Sequence, residues 1–390
     1  MAIDKVLMPG EATLGVMGGG QLGRMFVQAA QSLGYRAVVL DADADSPAGA
    51  VAHQQVRTGY LDPQGLAELA AAADAITTEF ENVPAQALAT LAEQRRVAPA
   101  GRCVAVCQDR ADEKAHFKAS GVACAPHAVI RSEAELAAVD ASLLPGILKT
   151  ARMGYDGKGQ ARVRDRAELA AAWAAMKGVP CVLEQLLPLD LELSVIVARG
   201  LDGQVVEFPV QQNLHRDGIL AVTEVPAPSV PEAVQAEART AAARIATELG
   251  YVGVLCVEFF LLKDGRLLVN EMAPRPHNSG HYTLDACDVS QFEAQVRALA
   301  GLPLRQPRLH SPVVMLNLLG DLWFDAEGRE RSPCWDQVLA LPGAHLHLYG
   351  KAEPRQGRKM GHLNIIGASA AEAAASARQA AALLGLPSEW

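Results

Sequence analysis

Cysteine is scarce and unpatterned in this chain: seven residues, at 103, 107, 124, 181, 256, 287 and 334, odd in number and without a Cys-x-x-Cys pair. That argues against a disulfide framework or a structural zinc site and leaves them as buried thiols. No stretch of about 18 apolar residues runs free of charge, so no membrane span is expected. Positive charge is also short. The formal net charge is -9 at pH 7, which offers no basic footprint for nucleic acid, so anionic ligands need local cationic sites. The start, Met1, Ala2, Ile3, Asp4 and Lys5, lacks the basic-then-apolar order of a signal peptide, and a cytoplasmic location is expected. No internal repeat is found. What the chain does have is length and apolar content: 390 residues, 50% hydrophobic and 20% charged, too long for one ordinary core.

Apolar strand patterns alternate with Ala-rich helical ones over residues 13–17, 22–33, 37–40, 63–72, 75–78 and 84–94, which predicts a parallel α/β unit. Its first strand runs into Gly18-Gly19-Gly20-Gln21-Leu22-Gly23 and its second ends at Asp41, the spacing of a dinucleotide fingerprint. The physical content of that pattern is a helix N-terminus whose backbone N–H groups can cradle a phosphate. Beyond Cys103 the pattern changes to α+β: a helix near 109–119, strands at 146–150 and 181–185, and apolar runs at 193–198 and 205–210. Residues 226–231 read as a connector to a helix over 232–249. A third, smaller unit is predicted from Ser311, with strands at 313–319, 345–349 and 362–366 and a closing Ala-rich helix. The expected division is 1–105, 106–310 (with a small lobe at about 122–186) and 311–390.

The chemistry is expected where two carboxylates flank a turn. Asp264-Gly265 lies between apolar runs, the strongest short hairpin signal. A two-residue loop there sets Glu258 opposite Glu271, with Cβ atoms about 4.5–5.5 Å apart. Two bare carboxylates that close repel, and a hard cation such as Mg2+ relieves the repulsion. An exposed hairpin with solvated glutamates satisfies the same pattern, so the surrounding sequence has to decide. Gly154-Tyr155-Asp156-Gly157-Lys158-Gly159-Gln160 follows Lys149, three glycines around a cation, able to close over an anion. The order Lys149, glycine loop, Glu184-Gln185, Glu192, Glu258, Asn270-Glu271 suits phosphates first, adenine and ribose next, and metal last.

This order resembles the ATP-grasp superfamily, in which a nucleotide lies between two α+β lobes. The resemblance narrows on further motifs: Gly18-Gly19-Gly20-Gln21-Leu22-Gly23-Arg24-Met25, Glu79-Phe80-Glu81-Asn82, the 154–160 loop, Asn213-Leu214-His215 with Asp217-Gly218-Ile219, Pro274-Arg275 with His277-Asn278-Ser279-Gly280-His281, and Gly357-Arg358-Lys359-Met360-Gly361-His362-Leu363-Asn364. Together, over about residues 14–367, they resemble the N5-carboxyaminoimidazole ribonucleotide synthetase family of purine biosynthesis.

The resemblance implies an N-terminal Rossmann-like domain, a two-lobed ATP-grasp region and a small C-terminal β-rich domain. It implies ATP contacts from Arg110, Lys149, Gly154, Tyr155, Asp156, Gly157, Lys158, Gly159 and Gln160. Further ATP contacts are implied from Glu184, Gln185, Leu186, Leu187, Glu192, His215, Asn270 and Glu271. Glu258 and Glu271 would hold Mg2+. Gly20, Gln21 and Leu22 would take the ribonucleotide phosphate, so the dinucleotide pattern becomes a monophosphate cradle. Glu79, Asn82, Lys351 and Arg358 would line the substrate site. Tyr155, Asp156, Lys158, Arg275, His277 and Asn278 would join them there, and all but Asp156 of these six are expected to act in catalysis. Asn270 would face away from Glu271 in a regular strand, so its contact requires the strand to bend.

The implied reaction is ATP- and bicarbonate-dependent carboxylation of 5-aminoimidazole ribonucleotide through carboxyphosphate, with release of ADP and phosphate. A homodimer is implied, with no nucleic-acid or membrane partner. No mutase domain follows Trp390, so the product is expected to pass to a separate chain. Three alternatives stay open: a formate-using ATP-grasp transformylase, a nicotinamide-dependent dehydrogenase on the Gly18–Gly23 pattern, and a non-catalytic nucleotide-binding module.

Overall fold

The computed structural model describes residues 5–154 and 159–390. Tyr155, Asp156, Gly157 and Lys158, expected at the nucleotide and the substrate, lie outside the described residues. Five parallel strands open the chain: β1 (Thr13–Met17), β2 (Arg36–Leu40), β3 (Gln54–Val56), β4 (Ala75–Thr78) and β5 (Arg96–Val97), in the order β3-β2-β1-β4-β5. Residues of β1 and β4 are buried on both faces, as a parallel sheet flanked by helices requires. The strand order reverses direction between β1 and β4. Ligand crevices form at such a switch point, beyond the carboxyl ends of the strands. Gly18, Gly19 and Gly20 follow β1 there and Glu79 follows β4, so topology alone brings the two motifs together. Helix α1 (Gln21–Ser32) buries Leu22, Met25, Phe26 and Ala30, spaced to form one stripe against the sheet.

Helices α2 (Pro63–Ala72), α3 (Ala85–Ala92), α4 (Gly101–Cys107) and α5 (Arg110–Ala119) follow, and the Asp109 side chain caps α5 by accepting from the Ala111 N–H at 3.0 Å. A separate four-stranded antiparallel sheet comprises β6 (His127–Ile130), β7 (Gly146–Thr150), β8 (Gln160–Val163) and β9 (Cys181–Gln185), within the expected small lobe. The remaining strands form one nine-stranded sheet. They are β10 (Leu189–Arg199), β11 (Val205–Glu207), β12 (Gln211–Arg216), β13 (Ile219–Val225), β14 (Gly253–Leu262), β15 (Leu267–Ala273), β16 (Val313–Leu319), β17 (Ala344–Leu348) and β18 (Lys359–Ile366). The strands after residue 311 are not a detached sheet: β16 pairs with β13, so the C-terminal unit continues the central sheet at its edge. Helix Gln291–Ala300 joins the units. Phe292, Val296 and Leu299 pack into the core under the parallel sheet, while Ala294 and Ala298 pack against the central sheet.

The carboxylate hairpin departs from the expected geometry twice. Its loop has three residues, Lys263, Asp264 and Gly265, closed by Leu262 N–H to Arg266 O at 2.9 Å, with Gly265 left-handed at φ 83°. Three-residue loops ending in a left-handed glycine are the next hairpin class after two-residue turns. That loop shifts the register by one, pairing Phe259 with Val269. A bulge then shifts it back: Asn270 is the extra residue, and Glu258 does pair with Glu271. The two irregularities cancel, so the expected partner is correct although the expected loop is not.

Candidate active site

Glu258 and Glu271 sit directly across the ladder, both partly buried. Burial, and then the charge of Glu271, push the Glu258 carboxyl up. Burial also opposes ionisation of Glu271, but Arg110 and Lys149 outweigh it and hold its carboxyl well below the usual range. Arg110 Nη1 donates to Glu271 Oε2 at 2.8 Å, and His277 Nε2 lies 3.1 Å from Glu258 Oε1. Because Asn270 is the bulged residue, the alternation that would turn it away from Glu271 does not apply. Its buried Oδ1 has no hydrogen-bond partner among the described residues. Two neighbouring carboxylates and an unpartnered amide oxygen suit a hard cation with oxygen ligands.

Three residues on one face of α5 hold this bulge. Arg110 takes the Glu271 carboxylate; Glu113 Oε1, one turn on, accepts from the Met272 N–H at 2.7 Å; Lys114 Nζ donates to Asn270 O at 2.9 Å. Spacing of three and four residues puts all of them on the same side of a helix. Lys114 also lies 3.1 Å from Glu184 Oε1, while Lys149 Nζ donates to Glu184 Oε2 at 2.9 Å. Glu184 is thereby shared by two lysines, and although burial opposes its ionisation, Lys149 and Lys114 hold its carboxyl down. Neither Glu113 nor Lys114 was expected at the site from the sequence. Their position one turn past Arg110 was the available signal.

Glu113 has a measurable consequence. Burial raises its carboxyl to about 8, so the folded protein retains a proton that the unfolded chain releases. The stability this contributes is complete below the unfolded carboxyl range and is lost as pH rises through about 8, at a slope approaching 1.4 kcal/mol per pH unit. In Glu113→Gln the amide oxygen still accepts from Met272 and nothing titrates. Urea unfolding from about pH 5 to about pH 8 is expected to show wild type losing stability across the window and the variant losing clearly less; parallel curves would refute the assignment.

The other residues expected at the nucleotide lie on the small sheet, on the crossing to the central sheet and on β10 and β12. Arg110 Nη2 lies 3.5 Å from Gly154 O, so α5 touches the start of the glycine loop. Gly159 is left-handed at φ 72°, its carbonyl accepts from Thr150 N–H at 2.8 Å, and Gln160 pairs with Lys149. Gln185 Nε2 is bonded to Ser142 O at 3.0 Å, Leu186 is 41% exposed, and Leu187 follows in the same crossing between the small sheet and the central one. Glu192 Oε2 and His215 Nδ1 are 2.7 Å apart on neighbouring strands. Burial works against the His215 cation, but Glu192 raises its pKa all the same. The β12–β13 turn uses left-handed Asp217 and Gly218, a hairpin the sequence did not predict as strands.

At the switch point a carboxylate occupies the helix N-terminus. Glu79 Oε1 accepts from Gly20 N–H at 2.9 Å and Oε2 from Gly23 N–H at 3.0 Å, while Asp41 Oδ2 accepts from Gly19 N–H at 2.7 Å. A Cβ on Gly20 would sit 2.7 Å from Glu79 Oε1, which accounts for glycine there. Of the three residues expected at a phosphate, Gly20 thus has its N–H already capped, by the charge type a helix start favours. Burial nonetheless raises the Glu79 carboxyl, despite those bonds and the nearby Arg275. Asn82 lies half-buried in the following turn.

Arg275 is paired with Glu81, a partner the sequence reading did not single out although it alternates with Glu79. His277 Nδ1 lies 2.9 Å from Ser279 Oγ, and burial together with the Arg275 cation keeps the imidazole neutral. Both side-chain polar atoms of buried Asn278 are without hydrogen-bond partners among the described residues, which marks an open polar position. Lys351 reaches this region from the C-terminal unit: Nζ donates to Lys359 O at 2.7 Å, and burial, then Arg358, lower its pKa to about 8. Arg358 Nη1 donates to Glu353 O at 2.7 Å and sits at the outer rim.

The three units match three family models. Residues 11–108 match the ribonucleotide synthetase preATP-grasp domain, 115–292 the ATP-grasp domain, and 313–376 the phosphoribosylaminoimidazole carboxylase C-terminal domain. The chain is 47% identical over 367 residues to the N5-carboxyaminoimidazole ribonucleotide synthase of Brucella melitensis biotype 1, covering 93% of this chain and 99% of that protein. It is 42% identical to that of Bacillus subtilis over 363 residues, 93% of each. Among solved structures it resembles the Staphylococcus aureus N5-carboxyaminoimidazole synthetase complexed with ADP (TM-score 0.88, 36% identity, 98% of this chain and 100% of that one). It is also similar to the Aspergillus clavatus N5-carboxyaminoimidazole synthase in complex with ADP and 5-aminoimidazole ribonucleotide (TM-score 0.87, 31% identity, 96% and 99%).

Proposed function

The chain belongs to the N5-carboxyaminoimidazole ribonucleotide synthase family of ATP-grasp ligases, which use ATP to carboxylate 5-aminoimidazole ribonucleotide in purine biosynthesis, and we propose that its own residues divide that reaction between two adjoining chambers. The dehydrogenase reading of Gly18 to Gly23 falls with this membership, as does a non-catalytic module. The carrying observation is the run of pre-formed ion pairs, Lys149–Glu184, Arg110–Glu271 and Arg275–Glu81, from the small sheet to the switch point. Each supplies a cation of the kind that a phosphate or carboxylate of the substrates would pair with.

In the first chamber Arg110, Lys149, Gly154, Gly159 and Gln160 bind the ATP phosphates. Glu184, Gln185, Leu186 and Leu187 hold the base, and Glu192 with His215 holds the ribose end. Lys149 exchanges Glu184 for phosphate oxygens as the transferring group develops charge, since phosphoryl transfer is catalysed chiefly by positioning and electrostatics. A Mg2+ ion held by Glu258 and Glu271, with Asn270 Oδ1 as a further oxygen donor, would supply neutralisation of that charge. Tyr155, Asp156, Gly157 and Lys158 belong to the loop proposed to exclude water over the phosphates.

In the second chamber bicarbonate oxygen attacks the γ-phosphorus and displaces ADP, and the resulting carboxyphosphate gives its carboxyl carbon to the exocyclic amine, which loses a proton as inorganic phosphate departs. Arg275 offers a bidentate fork to the carboxyl oxygens. Neutral His277 accepts or returns a proton beside it, and Asn278 turns its unpartnered amide to the substrate. Gln21, Leu22 and Gly20 take the ribonucleotide phosphate, for which the Glu79 carboxylate on the Gly20 and Gly23 N–H groups is a stand-in, and Asn82, Lys351 and Arg358 close its rim. A cytoplasmic location, a homodimer and delivery of product to a separate mutase belong to the same proposal. No helix among the described residues is long and apolar enough to cross a membrane.

ADP release with 5-aminoimidazole ribonucleotide is expected to require bicarbonate and to ignore formate. Formate-dependent release would instead support a transformylase of the same superfamily.

A further inference from the structure

One thiol beside the carboxylate hairpin has no part in this chemistry. Cys256 precedes Glu258 by two residues on β14, so both side chains lie on the same sheet face. His277 closes a triangle with them. Cys256 Sγ, a Glu258 carboxylate oxygen and a His277 ring nitrogen all lie within 4.8 Å of one another, with His277 Nε2 at 3.1 Å from Glu258 Oε1. A tetrahedral ion with bonds of about 2.0 Å to nitrogen and oxygen and about 2.3 Å to one sulfur keeps its ligand atoms about 3.3–3.5 Å apart. The triangle needs only small side-chain adjustment to reach that geometry.

Independent support comes from behind the histidine. A metal-bound imidazole is normally oriented by a hydrogen bond to its other nitrogen. Here His277 Nδ1 is 2.9 Å from Ser279 Oγ, Ser279 Oγ is 2.9 Å from Ser194 Oγ, and Asn213 Nδ2 donates to Ser194 Oγ at 2.8 Å. Ser194 and Ser279 are fully buried, so this chain of hydroxyls and amides fixes the ring with Nε2 toward Glu258 and Cys256. Thiolate, imidazole and carboxylate together form a donor set for a borderline-soft ion, whereas Mg2+ takes oxygen ligands.

We propose that Cys256, Glu258 and His277 form a second divalent-cation site of the Zn2+ class, and that its occupation excludes an ion shared by Glu258 and Glu271. Three protein ligands leave a fourth position open to the substrate chamber. Inhibition by zinc follows because Glu258 cannot serve both ions and His277 is withdrawn from substrate. That consequence rests on the roles proposed above for the two residues; metal binding itself does not.

The test uses the ligand-free full chain titrated with Co2+ as a spectroscopic substitute. A thiolate-to-cobalt charge-transfer band in the near ultraviolet is expected, saturating at one ion per chain, displaced by Zn2+ and indifferent to Mg2+. Cys256→Ala is expected to lose the band, to retain ADP formation with Mg2+, and to need roughly tenfold or more zinc for half-inhibition. A wild-type protein without the band overturns the site, as does a band that survives Cys256→Ala or zinc inhibition the substitution leaves unchanged. A band lost in the variant without any zinc inhibition of wild type keeps the site and overturns its overlap with the chemistry.

Discussion

Glu271→Gln is expected to reduce ATP turnover by roughly 10^2- to 10^3-fold, the scale on which removal of one preorganised charged or donor group acts. The substitution keeps the shape and the ladder position opposite Glu258 but removes half of the paired negative charge. Arg110 then faces a neutral amide and Glu258 loses its like-charged neighbour, so the attraction for a divalent cation falls while the fold has little reason to change. The measurement is ADP release at saturating ATP, 5-aminoimidazole ribonucleotide and bicarbonate, with thermal unfolding alongside. Wild-type-like ADP production from a folded variant would remove the hairpin from the centre of the mechanism.

Lys114→Met is expected to be the most destabilising single change near the site, at about 3–5 kcal/mol, the cost of breaking a buried ion pair from one side. Lys114 is 1% exposed and is bonded to Asn270 O and paired with Glu184, itself 3% exposed. Met fills the volume but leaves a buried carboxylate with one cation where it had two. It also leaves the carbonyl at the bulge without its donor. Glu184 then holds Lys149 more firmly, so the apparent KM for ATP rises together with the loss of stability. Urea unfolding monitored by circular dichroism, paired with an ATP titration of the surviving activity, checks both. A stability loss under about 1 kcal/mol would mean that Lys149 alone satisfies Glu184 and that α5 does not hold the bulge.

The two variants separate what was legible in the sequence from what was not. Strands at Thr13–Met17, Ala75–Thr78, Gly146–Thr150, Cys181–Gln185 and Val313–Leu319 follow from apolar periodicity, because burial on one or both sheet faces imposes it directly on the residues. The hairpin at Asp217-Gly218 escaped because Asn213 and His215 put polar side chains into positions where a strand is expected to be apolar. Glu81, Glu113 and Lys114 escaped for a different reason. Their partners are 194, 159 and 156 positions away in the chain, and a charge's partner leaves no local trace.

The Glu258 and Glu271 pair lies on the border between these cases. Residue type, strand period and the Asp264-Gly265 turn determined that two carboxylates would meet on neighbouring strands, since turn chemistry and alternation are local properties. Tertiary structure decided the rest. The three-residue loop moved the ladder by one position, and the bulge at Asn270, gripped by α5 from outside the sheet, moved it back. Likewise the Gly18 to Gly23 turn was determined as an anion cradle by its own residues. Only the parallel strand order, which sets the ends of β1 and β4 side by side, decided that Glu79 would fill it. Local sequence specifies what a segment can offer; long-range packing specifies which groups meet, because the free energy of a buried charge depends on partners the segment does not contain.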